Sequence, residues 1–148
     1  GARTAREAHG LGQLFERAGM LAEARACYTR AAGADPAVAP CIDVDPPTCA
    51  EALRAYGVLC RRDRQYEQAA DAWRRVLALP QCPTHIAQQA SEALAVHHEH
   101  RVRDLSAARH FARQALTFDV STTRVRAGHH RLARIDRKLG VPPSPPLF

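Results

Sequence analysis

Apolar and polar positions recur along this chain with the spacing of amphipathic helices arranged in pairs. The first block reads Leu11-Gly12, Phe15, Gly19, Leu21, Ala24, Tyr28, Ala31, Ala34 and Pro36. Forty-five residues later the same order returns as Tyr56-Gly57, Cys60, Tyr66, Ala69, Trp73, Val76 and Leu79. A third copy supplies Leu94-Ala95, then Leu105, Ala108, Ala112, Ala115 and Phe118, with its first helix one residue further from its second. The 3.6-residue period predicts helices near 5–18, 21–33, 49–62, 66–79, 85–102, 105–118 and 122–139. Small residues at Gly12, Ala24, Gly57, Ala69, Ala95 and Ala108 allow close helix approach, while Tyr28, Trp73 and Phe118 fill gaps between hairpins. Thr4-Ala-Arg-Glu7 and Thr48-Cys-Ala-Glu51 both fit a capping box, and Gly33 with Pro36 closes a helix. A lone hairpin cannot cover its own apolar face, so such units stack.

Three registered copies of this order resemble tetratricopeptide (TPR) repeats, in which each unit is a helix–turn–helix. The resemblance covers most of the chain and implies an all-α, TPR-like helical-hairpin solenoid. Three hairpins near 5–38, 50–83 and 87–120 and a capping helix at 122–139 make up a repeat domain over 1–140. The longer spacings imply insertions between repeats, chiefly Ala37–Pro47, and a Pro-rich tail occupies 141–148. A narrower resemblance lies in Leu94-Ala-Val-His-His-Glu-His-Arg101, then Arg103-Asp104-Leu105, with Trp73 upstream and His130-Arg-Leu-Ala-Arg134 downstream. It is similar to the C-terminal helical tail of bacterial proteins bearing an RNase H-like, two-metal exonuclease domain. His97-His98 stands where that tail has aromatic residues, and Leu105 where it has Tyr. The acidic metal-binding motifs of the nuclease have no counterpart, so this kinship implies an accessory segment and transfers no catalytic residue.

Composition narrows the picture. Only 5% of residues are aromatic, and much of the apolar share is alanine, which favours helix over strand. No apolar run is long enough for a membrane span, and no signal-peptide h-region follows Gly1, so a cytoplasmic location is expected. The five cysteines lack a CxxC pair, which points to reduced thiols; Cys41 and Cys49 flank a turn and pair only in an oxidising setting. The net charge of +6 is uneven. Residues 1–74 hold ten Arg and ten acids, whereas 101–148 hold ten Arg or Lys against Asp104, Asp119 and Asp136.

Catalysis finds no foothold: there is no GxSxG, phosphate loop or HExxH, and Asp43 and Asp45 read as turn formers. No catalytic residue, cofactor or metal is therefore expected, although His97, His98, Glu99, His100 and His110 lie close in sequence. Two surfaces remain. The first is a groove along the first helices for a protein or peptide: His9, Gln13, Arg17, Arg54, Val58, Arg61, Arg62, Glu92, Val96 and Glu99. Arg54, Arg61 and Arg62 would attract an acidic segment; the alternative is a solvated basic face. The second is a polyanion surface: Arg101, Arg103, Arg124, Arg126, Arg131, Arg134, Arg137 and Lys138. It would contact nucleic acid; the alternative is the polar outside of a capping helix. Membrane contact is disfavoured because the apolar stripe of the last helix lacks Trp and Phe. The sequence does not fix the oligomeric state.

Overall fold

A computed structural model describes residues 4–33, 45–118 and 121–141. Seven α-helices account for the regular structure among them: α1 (Ala5–Arg17), α2 (Leu21–Ala32), α3 (Pro46–Arg62), α4 (Tyr66–Ala78), α5 (Thr84–His97), α6 (Leu105–Ala115) and α7 (Thr122–Leu139). A π-helical turn, His98–Val102, continues α5. The fold is all-α. Most of the insertion Ala37–Pro47, the residue Cys41 and nearly all of the Pro-rich tail lie outside the described residues.

The chain forms two compact units, 1–86 and 87–148. In the first, α1 packs on α2, α2 on α3, α3 on α4, and α1 also meets α3. Gly12 and Gly57 make two of these packings possible. A Cβ at Gly12 would fall 2.6 Å from Cε1 of Tyr28, and one at Gly57 would fall 3.0 Å from Cε2 of Trp73. Each aromatic ring therefore lies over a glycine sixteen residues before it, within its own hairpin. Tyr28 also reaches the next hairpin, in a cluster with Ala24 and Leu59 flanked by Phe15, Ala55 and Tyr56. Trp73 is buried, with 5% of its surface exposed. Among the described residues, Leu11, Leu14, Met20 and Leu21 are the large apolar side chains this unit leaves exposed.

In the second unit Ala95, Ala108, Ala112 and Ile135 form a core cluster, with Phe111, Leu132 and Leu139 packed against it. Here the expected large residue does not fill the gap. Helix α6 stops at Ala115, because the Leu116 and Thr117 amides turn back to the carbonyls of Arg113 and Gln114. Phe118 lies beyond this tightened turn and is only half-buried. Leu116 takes the packing role instead, with Cδ2 2.7 Å from a Cβ placed on Gly128 of α7.

Helix ends follow the sequence at most points. The Thr4 hydroxyl accepts the Glu7 amide, as a capping box requires. Gly33 and Gly140 adopt the left-handed conformation just past α2 and α7. The start of α3 differs: Asp45, not Thr48, is the N-cap, accepting both the amide and the hydroxyl of Thr48. Pro46 and Pro47 then fit the first turn, where their missing N–H groups cost nothing.

Candidate functional site

Within the first unit, the packing of α1 against α3 brings part of the expected groove together. His9 on α1 is half-buried beside Glu51 and Arg54 of α3, and its ring tilts over Tyr28 at a centroid distance of 5.6 Å. Burial lowers the His9 pKa, with Glu51 opposing and Arg54 adding to the shift. His9 Nδ1 is buried without a hydrogen-bond partner among the described residues. Arg54 donates through Nε and Nη2 to Glu51, and His85 Nε2 lies 3.7 Å from the same carboxylate. Arg62 pairs with Glu16, which also accepts the Tyr28 hydroxyl at 2.6 Å. Burial and that hydrogen bond push the Tyr28 pKa upward. Gln13, Arg17 and Arg61 are exposed, and Val58 is half-buried.

The second unit joins residues that the sequence divides between two surfaces. Glu99 is the one buried residue of the π-helical turn, and its side chain has no exposed surface. Its Oε1 accepts from Arg134 Nε at 2.7 Å and from Lys138 Nζ at 3.0 Å; its Oε2 accepts from Arg134 Nη2 at 2.9 Å. His100 Nε2 lies 3.4 Å from Oε2. The Arg134 fork outweighs the cost of burial and, with Lys138, holds the Glu99 pKa down to about 2. Glu92, also expected in the groove, accepts from Gln88 Nε2, whose Oε1 accepts from Arg124 Nη1 at 2.9 Å. Groove residues Glu92 and Glu99 are thus tied to Arg124, Arg134 and Lys138, all expected on the polyanion surface. Val96 is half-buried nearby on α5.

The polyanion surface expected from the sequence places Arg134 outward on α7 with Arg126, Arg137 and Lys138. Arg134 turns to Glu99 instead, and Arg109 of α6 binds Asp136 of α7 at 2.6 Å. Arg126 and Arg137 stay exposed, and Arg131 is half-buried; none of the three has a partner among the described residues. Arg101 and Arg103 are also exposed. Neither protein-family models nor curated proteins match the chain.

The histidine cluster serves packing. His98 stacks on Phe111 with centroids 5.4 Å apart and planes within 9°, His97 meets His98 edge-on, and His110 meets Phe111 edge-on. Among the described residues no group of three or more His, Cys, Asp or Glu is placed to hold a metal. Cys49 and Cys60 are buried free thiols whose pKa burial raises, which lowers their reactivity. No helix among the described residues is long and apolar enough to cross a membrane.

Sequence reasoning missed the Glu99 centre as a unit. The signal was available: Gly12 and Gly57 precede Ala24 and Ala69 by twelve residues, whereas Ala95 precedes Ala108 by thirteen. The π-helical turn absorbs that extra residue. Helices α1, α3 and α7 close with an amide bonded five residues back: Met20 to Phe15, Gln65 to Cys60 and Val141 to Asp136. After α5 the closing bond, from the Asp104 amide to His98, reaches six residues back. π-Turns of this kind occur often at functional sites.

Proposed function

We propose that the chain is a non-catalytic, TPR-like interaction module that binds a protein segment along its first helices. The observation that carries this reading is the twice-built hairpin. Tyr28 over Gly12 and Trp73 over Gly57 are the same contact repeated at the same spacing, and α1 lies against α3. Hairpins stacked this way place first helices side by side, which is how TPR architectures build a ligand groove. Arg17 of α1 and Arg61 of α3 are exposed cations of that face without a partner among the described residues, and Arg61 lies two turns from Arg54, with Val58 between them. An acidic segment with an apolar anchor suits it.

A peptide display selection on the chain should enrich acidic sequences. The selected peptide should lose about tenfold or more in affinity on Arg61→Glu or Val58→Glu, the worth of one charged or anchoring contact. It should be indifferent to Arg126→Glu. A selection that enriches nothing, or peptides blind to Arg61 and Val58, would overturn the reading.

The alternative, a nucleic-acid-binding accessory of a larger nuclease, draws on the surplus of Arg and Lys after residue 100. Its support narrows to Arg101, Arg103, Arg126, Arg131 and Arg137, since Arg124, Arg134 and Lys138 already serve Gln88 and Glu99.

A further inference from the structure

The end of α5 holds a cleft of about 320 Å³ that the peptide reading does not use, lined by Glu99, His100, Arg103, Leu105 and Lys138. That volume lies at the small end of ligand sites. Its charge balance is unusual because the acid within it is already spent. Both Glu99 oxygens are taken, and the Arg134 fork alone neutralises the carboxylate. Lys138 commits one of its three donors to Glu99 and keeps the others. Arg103 has no acceptor among the described residues, so its whole guanidinium is available. His100 is half exposed and adds a third donor. Asp104, the acid next in sequence, uses Oδ1 to cap the Ala107 amide of α6.

Two backbone features point the same way. Leu105, in the cleft wall, is the first residue of α6, and the opening N–H groups of a helix lack intrahelical acceptors and carry the positive end of its dipole. Arg103 adopts φ 62°, the left-handed region where glycine is cheapest, and the π-helical turn before it sets its place in the cleft. A long cationic side chain thus occupies a position at which backbone energetics favour none.

We propose that this cleft binds a small dianionic oxyanion, inorganic phosphate or a phosphomonoester group, held by Arg103, Lys138 and His100 at the start of α6. The fork of Arg103 matches two phosphate oxygens, and the Lys138 ammonium supplies a point charge to a third. A carboxylate, with one charge and two oxygens, leaves part of this donor set unused.

Amide-resolved NMR titration tests the site, with inorganic phosphate, glycerol phosphate and acetate as probes at constant ionic strength maintained with chloride. Phosphate should give saturable shifts at Arg103, Leu105 and Ser106, and acetate should bind about tenfold more weakly or not at all. Tighter binding of glycerol phosphate than of the free ion assigns the site to esterified phosphate; the reverse order assigns it to the ion. Arg103→Gly, which relaxes the backbone and leaves the Glu99 pairs in place, should keep the fold and weaken phosphate about tenfold or more. Arg126→Gln, outside the cleft, should bind as the parent does. Linear shifts equal to those with chloride, or unchanged binding in Arg103→Gly, would refute the proposal. So would equal loss in Arg126→Gln, which would mean diffuse charge rather than a site.

Discussion

At the scale of single residues, two glycines in α1 make opposite demands. Nothing lies within 4 Å of a Cβ placed on Gly10, whereas one on Gly12 meets the Tyr28 ring. Gly10→Ala should therefore stabilise by about 0.5–1 kcal/mol through helix propensity. Gly12→Ala should lose that gain to overpacking and destabilise by about 1–3 kcal/mol. Chemical denaturation of the two variants decides it; equal effects would mean that Tyr28 does not sit over α1. Glu99 poses the electrostatic counterpart. Its pKa lies below its ordinary value, so its contribution is complete above about pH 4.5 and is lost as pH falls through about 2. Arg134→Gln leaves the buried carboxylate with Lys138 as its main partner and should cost about 1–3 kcal/mol near neutral pH. It should also move the acid-sensitive range upward, since Glu99 would protonate earlier. Carboxyl NMR of Glu99 against pH reads this directly, and an unmoved titration would contradict the ion-pair geometry.

At the scale of elements, the chain's periodicity is enough to locate every helix, because each one carries an amphipathic stripe and has Gly, Pro or a short polar residue near its ends. What it does not reveal is which of two plausible caps takes the helix start. Thr4 and Thr48 stand in the same kind of sequence, yet Thr4 accepts the Glu7 amide while Thr48 lies inside a helix already capped by Asp45. The difference comes from Pro46-Pro47, whose fixed φ extends the helix backwards. Thr4→Ala should accordingly cost about 1 kcal/mol, and Thr48→Ala no more than a few tenths, by thermal or urea unfolding. A larger loss at Thr48 would place the true start of α3 there. The π-helical turn illustrates the other limit. A thirteen-residue interval in place of twelve is visible in the sequence, but whether the extra residue enters a loop or a helix depends on burial. Burying Glu99 with both oxygens paired is what the helical solution achieves.

At the scale of the molecule, charge separates the two functional readings, and internal pairing changes how they must be tested. Ten Arg or Lys against three Asp after residue 100 look like a continuous basic surface when read in one dimension. Side-chain direction was not legible there, because Arg134 sits only one residue from the core residue Ile135 and either direction fits the helical period. In three dimensions Arg109, Arg124, Arg134 and Lys138 are bound to Asp136, Gln88 and Glu99. Neutralising Arg134 or Lys138 would damage the fold and the charge together, so a loss of binding in those variants would not identify a surface. Arg126, Arg131 and Arg137 carry the clean test. Their triple change to Gln should leave stability within about 0.5 kcal/mol, as expected away from packed or paired positions. If this arc contacts duplex DNA, removing up to three phosphate contacts should flatten the slope of log affinity against log salt by about 0.9 for each. If the groove on α1 and α3 is the working surface, the triple variant should keep full peptide affinity while Arg61→Glu loses it. We expect the second pattern, because the repeated hairpin accounts for the placement of His9, Arg54 and Arg61, whereas much of the C-terminal charge is already spent within its own unit. DNA affinity at low salt that falls in the triple variant, alongside peptide selections that fail, would reverse that order.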